Sequence, residues 1–274
     1  MSPVLPDLEG KKTFFVQPSS VIRTEMIAEL IKLEYEVYLV NDANDAKKLF
    51  SRYPNCLAFL NIDDGLSELQ WLRLVREVQQ DPNLSNVKIG VLTYNQDKRL
   101  AEEYLINLRV ACGFVKLSLK MKDSLDIITR VLDVNEAKGR RKYLRVHCDQ
   151  TSGLSFKDGR DVIEGRILDL SSVGMTCVLT PDKRWPKGSS LAAIRLKLEG
   201  GYCTVSGVVM GSRPMESSRE TMYLVLFDTK TDSTNVEKIR AYMQKRLQSS
   251  LETALREAPA GRPEFQDSRV AVTV

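Results

Sequence analysis

Arg141 and Arg145 stand four positions apart in the stretch "GRRKYLRVHCDQ" (139–150), alongside Arg140 and Lys142. No acidic residue occurs between Glu136 and Asp149 to answer that charge. Guanidinium groups are planar, two-pronged donors whose geometry matches phosphate oxygens. A basic cluster of this kind, placed just before an apolar–polar alternation, points to capture of a small dianion. Twenty-four positions after Arg145 comes a second group, Asp169-x-Ser171-x-x-Gly174, in "RILDLSSVGMTC". Taken singly, each group is weak. Paired arginines are common and mostly solvated, and Asp-x-Ser-x-x-Gly often marks only a strand end with a turn.

Other chemistries find little support. The chain has one histidine, His147, which nearly excludes histidine-based catalysis and multi-histidine metal sites. His147–Cys148 has no second cluster to complete a metal site. Cys56, Cys112, Cys148, Cys177 and Cys203 are scattered without C-x-x-C spacing, and they read as reduced, mostly buried thiols of a cytoplasmic protein. No nucleophile–base pair is visible, so an enzyme is not expected. Net charge is +4, from 40 basic against 36 acidic residues. That balance does not suit a DNA-coating protein, and no aromatic-studded basic face supports nucleic-acid binding. No run approaches the ~20 apolar residues of a membrane span, and "MSPVLPDLEGKK" lacks the apolar core of a secretion signal.

Two rhythms must position these residues. In the first half, apolar strands alternate with amphipathic helices. "KTFFVQP", "YEVYLVN", "CLAFLNI", "VKIGVLTYN" and "ACGFVKL" read as strands. Residues 20–34, with Ser20 as N-cap and Ile22, Met26, Ile27, Leu30, Ile31 and Leu33 at helical spacing, read as the first of five helices. This predicts βαβ units and a five-stranded parallel sheet covered on both faces, a flavodoxin-like α/β fold. The second half has short alternating strands broken by turns such as "KDG" and "EGG", then a helix over 233–249. That pattern predicts a small antiparallel barrel with a terminal helix. Expected domains are residues 11–137 and 138–249, with a flexible tail over 250–274. The basic cluster falls on the boundary, where ligands often lodge.

The five-fold βα alternation over residues 11–137 resembles the receiver domain of bacterial two-component regulators. Thr93 and Lys116 match the residues that end its fourth and fifth strands. Its first-strand acidic pair is replaced by Gln17, Pro18 and Ser19, and Asn61 takes the phosphoacceptor position. An amide cannot replace a carboxylate nucleophile, and Mg2+ prefers carboxylate ligands. The resemblance therefore implies a pseudo-receiver that offers a surface to proteins. Asp63 and Asp64 follow the third strand but lack the first-strand acids.

Arg141-x-x-x-Arg145 and Asp169-x-Ser171-x-x-Gly174, in that order before a barrel-like pattern and a last helix, resemble the PilZ domain, a bacterial receptor for cyclic di-GMP. The resemblance covers residues 138–249. It implies Arg141 and Arg145 as a clamp on the ligand, with Arg140 as an extra contact. Asp169 and Ser171 would read guanine, the carboxylate accepting from N1–H and the exocyclic amine. Gly174 would allow a positive φ or close ligand approach. The implied protein is a non-enzymatic effector with outputs such as motility, needing neither metal nor cofactor, whose partners are cyclic di-GMP and an unidentified protein. The rival reading is an interaction scaffold whose PilZ-like half no longer binds nucleotide. A phosphorylation-controlled regulator is a second rival. One or two nucleotides per domain, and the oligomeric state, stay open.

Overall fold

A computed structural model describes residues 10–118, 120–215 and 219–257. The chain divides into two compact units that do not follow sequence order. The first takes in Gly10, Lys11, Val21–Val37 and Thr129–Ser249 among the described residues. The second takes in Lys12–Ser20, Tyr38–Ile128 and residues 250–257 among the described residues.

Five parallel strands form the first sheet: β1 (Thr13–Val16), β2 (Val37–Val40), β3 (Leu57–Asn61), β4 (Lys88–Thr93) and β5 (Phe114–Lys116). Their order is β2-β1-β3-β4-β5, as expected of a receiver-like half. β1 and β3 are buried at every residue, which fits strands covered on both faces. The helices are α1 (Ile27–Lys32), entered through a π-helical turn at Ile22–Met26, α2 (Ala43–Arg52), α3 (Glu68–Gln80), α4 (Lys98–Glu102) and α5 (Met121–Val134). Asp42 caps α2 by accepting from the Asn44 amide, and Ser67 with Gln70 forms a capping box on α3. Two expectations for the first helix are corrected. Ser20 is already helical and so is not its N-cap, and Leu33 ends up exposed because the helix stops before it can turn inward.

The second sheet contains β6 (Val146–His147), β7 (Gly153–Asp158), β8 (Asp161–Ser171), β9 (Gly174–Thr180), β10 (Ser190–Leu198), β11 (Gly201–Pro214) and β12 (Thr221–Phe227). Six of them close a ring, β8-β7-β10-β11-β12-β9, because β9 pairs back onto β8, while β6 lies along β8. Every ring strand pairs antiparallel with its neighbours. Closure removes the exposed edges that open sheets carry. Alternation turns Ile163, Ile194, Leu196, Val205, Val209 and Val225 inward. The "EGG" turn joins Leu198 to Gly201, with Gly200 at φ +92° in the region glycine tolerates.

Helix α6 (Ser233–Glu257) runs eight residues past the expected end at 249; residues 258–274 of the expected tail lie outside the described residues. The Tyr242 hydroxyl on α6 meets the Ser152 hydroxyl at 2.7 Å in a buried position. Arg246 donates to the His147 carbonyl and to Asp149, each at 3.3 Å. Burial pushes the Asp149 carboxyl upward, but the Thr151 and Ser152 hydroxyls and Arg246 outweigh it and hold the group below its ordinary value. The helix thereby fixes the chain just after the basic connector.

Candidate functional site

In the receiver-like sheet, the position expected to carry the phosphoacceptor is Asn61, at the end of β3 and 1% exposed. Its amide donates to the Gln17 carbonyl at 2.7 Å. Its oxygen is buried with no partner among the described residues. Thr93 ends β4 as expected, and its hydroxyl binds the Asp63 carboxylate. The Tyr94 amide donates to the same carboxylate at 2.8 Å. Lys116 ends β5, exposed. The nearest acid is thus tied down by hydroxyl and amide donors, and the strand-end position offers an amide.

The barrel wall depends on one irregularity. β8 and β9 keep register up to Ile167 opposite Cys177, then shift so that Asp169 faces Thr176. Leu168 is the extra residue of a β-bulge. Alternation had turned Ile163 and Ile167 inward. An uninterrupted strand would therefore have sent Asp169 and Ser171 inward as well. The bulge advances the phase by one, so Leu170 is the next core residue and Asp169 takes the outer side, while Ser171 stays buried at the strand end. β6 repeats this arrangement: Val146 is buried opposite Leu170, and exposed His147 faces Asp169. Continuing that register places exposed Arg145 opposite Ser171.

Asp169 accepts from the Thr176 hydroxyl at 2.9 Å, and its own amide donates to the same oxygen at 3.1 Å. Its other carboxylate oxygen pairs with His147 Nδ1. Ser171 is 5% exposed and donates to the Gly174 carbonyl at 2.9 Å, bracing the two-residue turn Ser172–Val173. Gly174 does not have a positive φ. Its reason is steric: a Cβ there would stand 2.5 Å from the Val225 carbonyl oxygen of β12. Arg140, at the end of the preceding turn, and Arg141, just after it, are exposed, Arg141 with interactions of its own.

The sequence reading missed five neighbours. His147 orients the Asp169 carboxylate, and Thr176 holds it from the other strand. Leu224 and Leu226 pair with Thr176 and Gly174, and both are exposed, as is Val208 opposite Leu226. Outward leucines at alternate positions of a barrel strand were the available signal. Together the wall offers a guanidinium, a carboxylate able to accept two adjacent N–H donors, and an apolar strip suited to a flat ring.

The cysteines add no reactive group. All five are free, with burial pushing the Cys148 thiol up to about 11 and Cys177 up to about 12. Among the described residues no group of three or more His, Cys, Asp or Glu is placed to hold a metal ion. No helix there is long and apolar enough to cross a membrane.

Residues 139–245 match the PilZ domain model, while no curated protein matches the chain. Among solved structures, the chain is similar to the PilZ domain with c-di-GMP of YcgR from Escherichia coli. Identity there is 18%, over 43% of this chain and 95% of that one, with a TM-score of 0.33. It is also similar to the K. pneumonia MrkH–c-di-GMP complex, at 18% identity over 44% of this chain and a little more than half (56%) of that one, with a TM-score of 0.34. A third likeness is to the signal receiver domain of an HD domain-containing protein from Pseudomonas fluorescens Pf-5, at 15% identity over 47% of this chain and all (100%) of that one, with a TM-score of 0.39. The connector, the outer wall and the first half of α6 all fall inside residues 139–245, the part of the chain that matches the PilZ domain.

Proposed function

We propose that this protein is a cytoplasmic, non-enzymatic effector that binds cyclic di-GMP on the outer wall of its barrel. The observation that carries the reading is the bulge at Leu168, which turns Asp169 outward beside His147 and next to the register position of Arg145. Cyclic di-GMP brings two phosphate charges and two guanines. Arg145 and Arg141 take the phosphates or the O6/N7 edge of a guanine, with Arg140 as a further contact. Asp169 accepts from guanine N1–H and the exocyclic amine. Leu224 and Leu226 give the purine an apolar floor. Ser171 and Gly174 hold the turn that presents this wall.

In this reading the working domains are residues 11–137 and 138–249. The exposed residues 139–142 close over the ligand, and the ordering reorients the receiver-like part toward protein partners. The driving force is the ligand's greater affinity for the closed arrangement. Asn61 in place of the phosphoacceptor supports a receiver-like part that works through surface contacts rather than phosphotransfer.

Limited trypsin digestion tests this proposal. Cleavage after Arg140, Arg141 or Lys142 is expected in the free protein and should be suppressed by saturating cyclic di-GMP but not by GTP. Equal cutting in all three conditions would contradict it.

A further inference from the structure

Glu34 follows the last residues of α1 and has φ +68°. That left-handed position after a helix is the usual place for glycine. A carboxylate there also meets the negative end of the helix dipole. Backbone and charge both disfavour glutamate at this point, so its contacts are informative. Oε2 accepts from the Leu144 amide at 2.9 Å. Oε1 accepts from the Ser172 hydroxyl at 2.8 Å. Arg240 of α6 stands 4.0 Å from Oε1, and the Glu34 side chain is only 13% exposed. All these residues lie in the first unit.

The two partners belong to the two motifs. Leu144 lies between Arg141 and Arg145, and Ser172 lies between Ser171 and Gly174. One carboxylate therefore joins the connector to the turn that ends the wall. The next residue anchors the other end of the connector. The Tyr35 hydroxyl bonds Asp133 of α5, and Lys138 Nζ stands 4.3 Å from the centre of the Tyr35 ring. Residues 34 and 35 thus hold both ends of the stretch that carries Arg140 and Arg141.

We propose that Glu34 is a positioning residue of the nucleotide site. It clips the connector to the barrel wall and sets the reach of the two arginines toward Asp169. The inference rests on the cyclic di-GMP reading above, and it places part of the site's support outside residues 139–245. Binding costs fall when flexible segments are held in advance in the bound geometry, so losing the clip lowers affinity even though Glu34 touches no ligand.

The test uses full-length E34G and E34Q, with cyclic di-GMP titration, thermal melting and hydrogen exchange at the Leu144 amide. Glycine accepts the left-handed backbone without strain, so E34G is expected to melt within a few degrees of the native chain. Its Kd should nevertheless rise about tenfold, the scale of a lost pre-organising contact, and its Leu144 amide should exchange faster. E34Q keeps one acceptor oxygen at the same reach, and its affinity should fall between the two. Unchanged or tighter binding by E34G would overturn the proposal, as would a parallel collapse of binding and melting temperature, which marks a merely structural role. If the native chain binds no cyclic di-GMP, the functional reading fails and this inference falls with it. If the native chain binds and E34G binds equally, the inference alone fails.

Discussion

Replacing Arg145 with alanine is expected to weaken cyclic di-GMP binding by about 2 kcal/mol, roughly 30-fold, the scale of a lost charge-assisted contact. The position is exposed and lies one residue before β6, opposite Ser171 when the strand register is continued. The alanine variant should therefore fold normally, and the loss should appear in binding alone. R145K separates charge from geometry. An ammonium keeps the attraction but cannot make a planar two-pronged contact, so about half of the loss should remain. R141A should weaken binding on the same scale. Raising the salt concentration should lower native affinity and narrow the gap between native and R145A chains, because exposed charge contacts are screened. Native-like affinity in R145A, measured by calorimetry, would remove the clamp from the account.

The second large effect concerns stability. G174A places a methyl group 2.5 Å from the Val225 carbonyl oxygen, in a strand whose Val225 side chain is fully buried. The obstacle is backbone, so β9 and β12 must separate or twist. Overpacking of this kind costs about 1–3 kcal/mol. A loss of about 2 kcal/mol would lower the melting temperature of a domain this size by roughly 10 °C. The Asp169–Thr176 bonds lie two residues along the same strand, so ligand binding should fall as well. Gly211 on β11 supplies the control: a Cβ there meets nothing within 4 Å, and G211A should melt within a degree or two of the native chain. Equal melting of G174A and native protein would refute the steric account of this glycine.

These two positions also show what could be read from the sequence. The five-stranded parallel sheet was legible because "AFL" and "IGVL" are continuous apolar runs between amphipathic helices. Both motifs of the barrel half were legible by spacing. The reason for Gly174 was not, since a close approach between β9 and β12 is a long-range fact that no local pattern encodes. The outward turn of Asp169 was hidden for a related reason. Alternation read through "RILDLS" hides the phase shift, although the apolar doublet Ile167–Leu168 just before an acid is the trace a bulge leaves. His147 looked like an ordinary strand residue because its partner is twenty-two positions away. Glu34 was invisible as a site residue: it sits more than a hundred positions from Leu144 and Ser172, and only folding brings them together.

Titration calorimetry of the full-length protein with cyclic di-GMP bears most directly on the claim that this barrel wall is a nucleotide site. A saturable heat is expected, with one or two nucleotides per chain and little response to GTP, and it should weaken sharply in D169A. The absence of saturable heat, or identical curves for native and D169A chains, would contradict it.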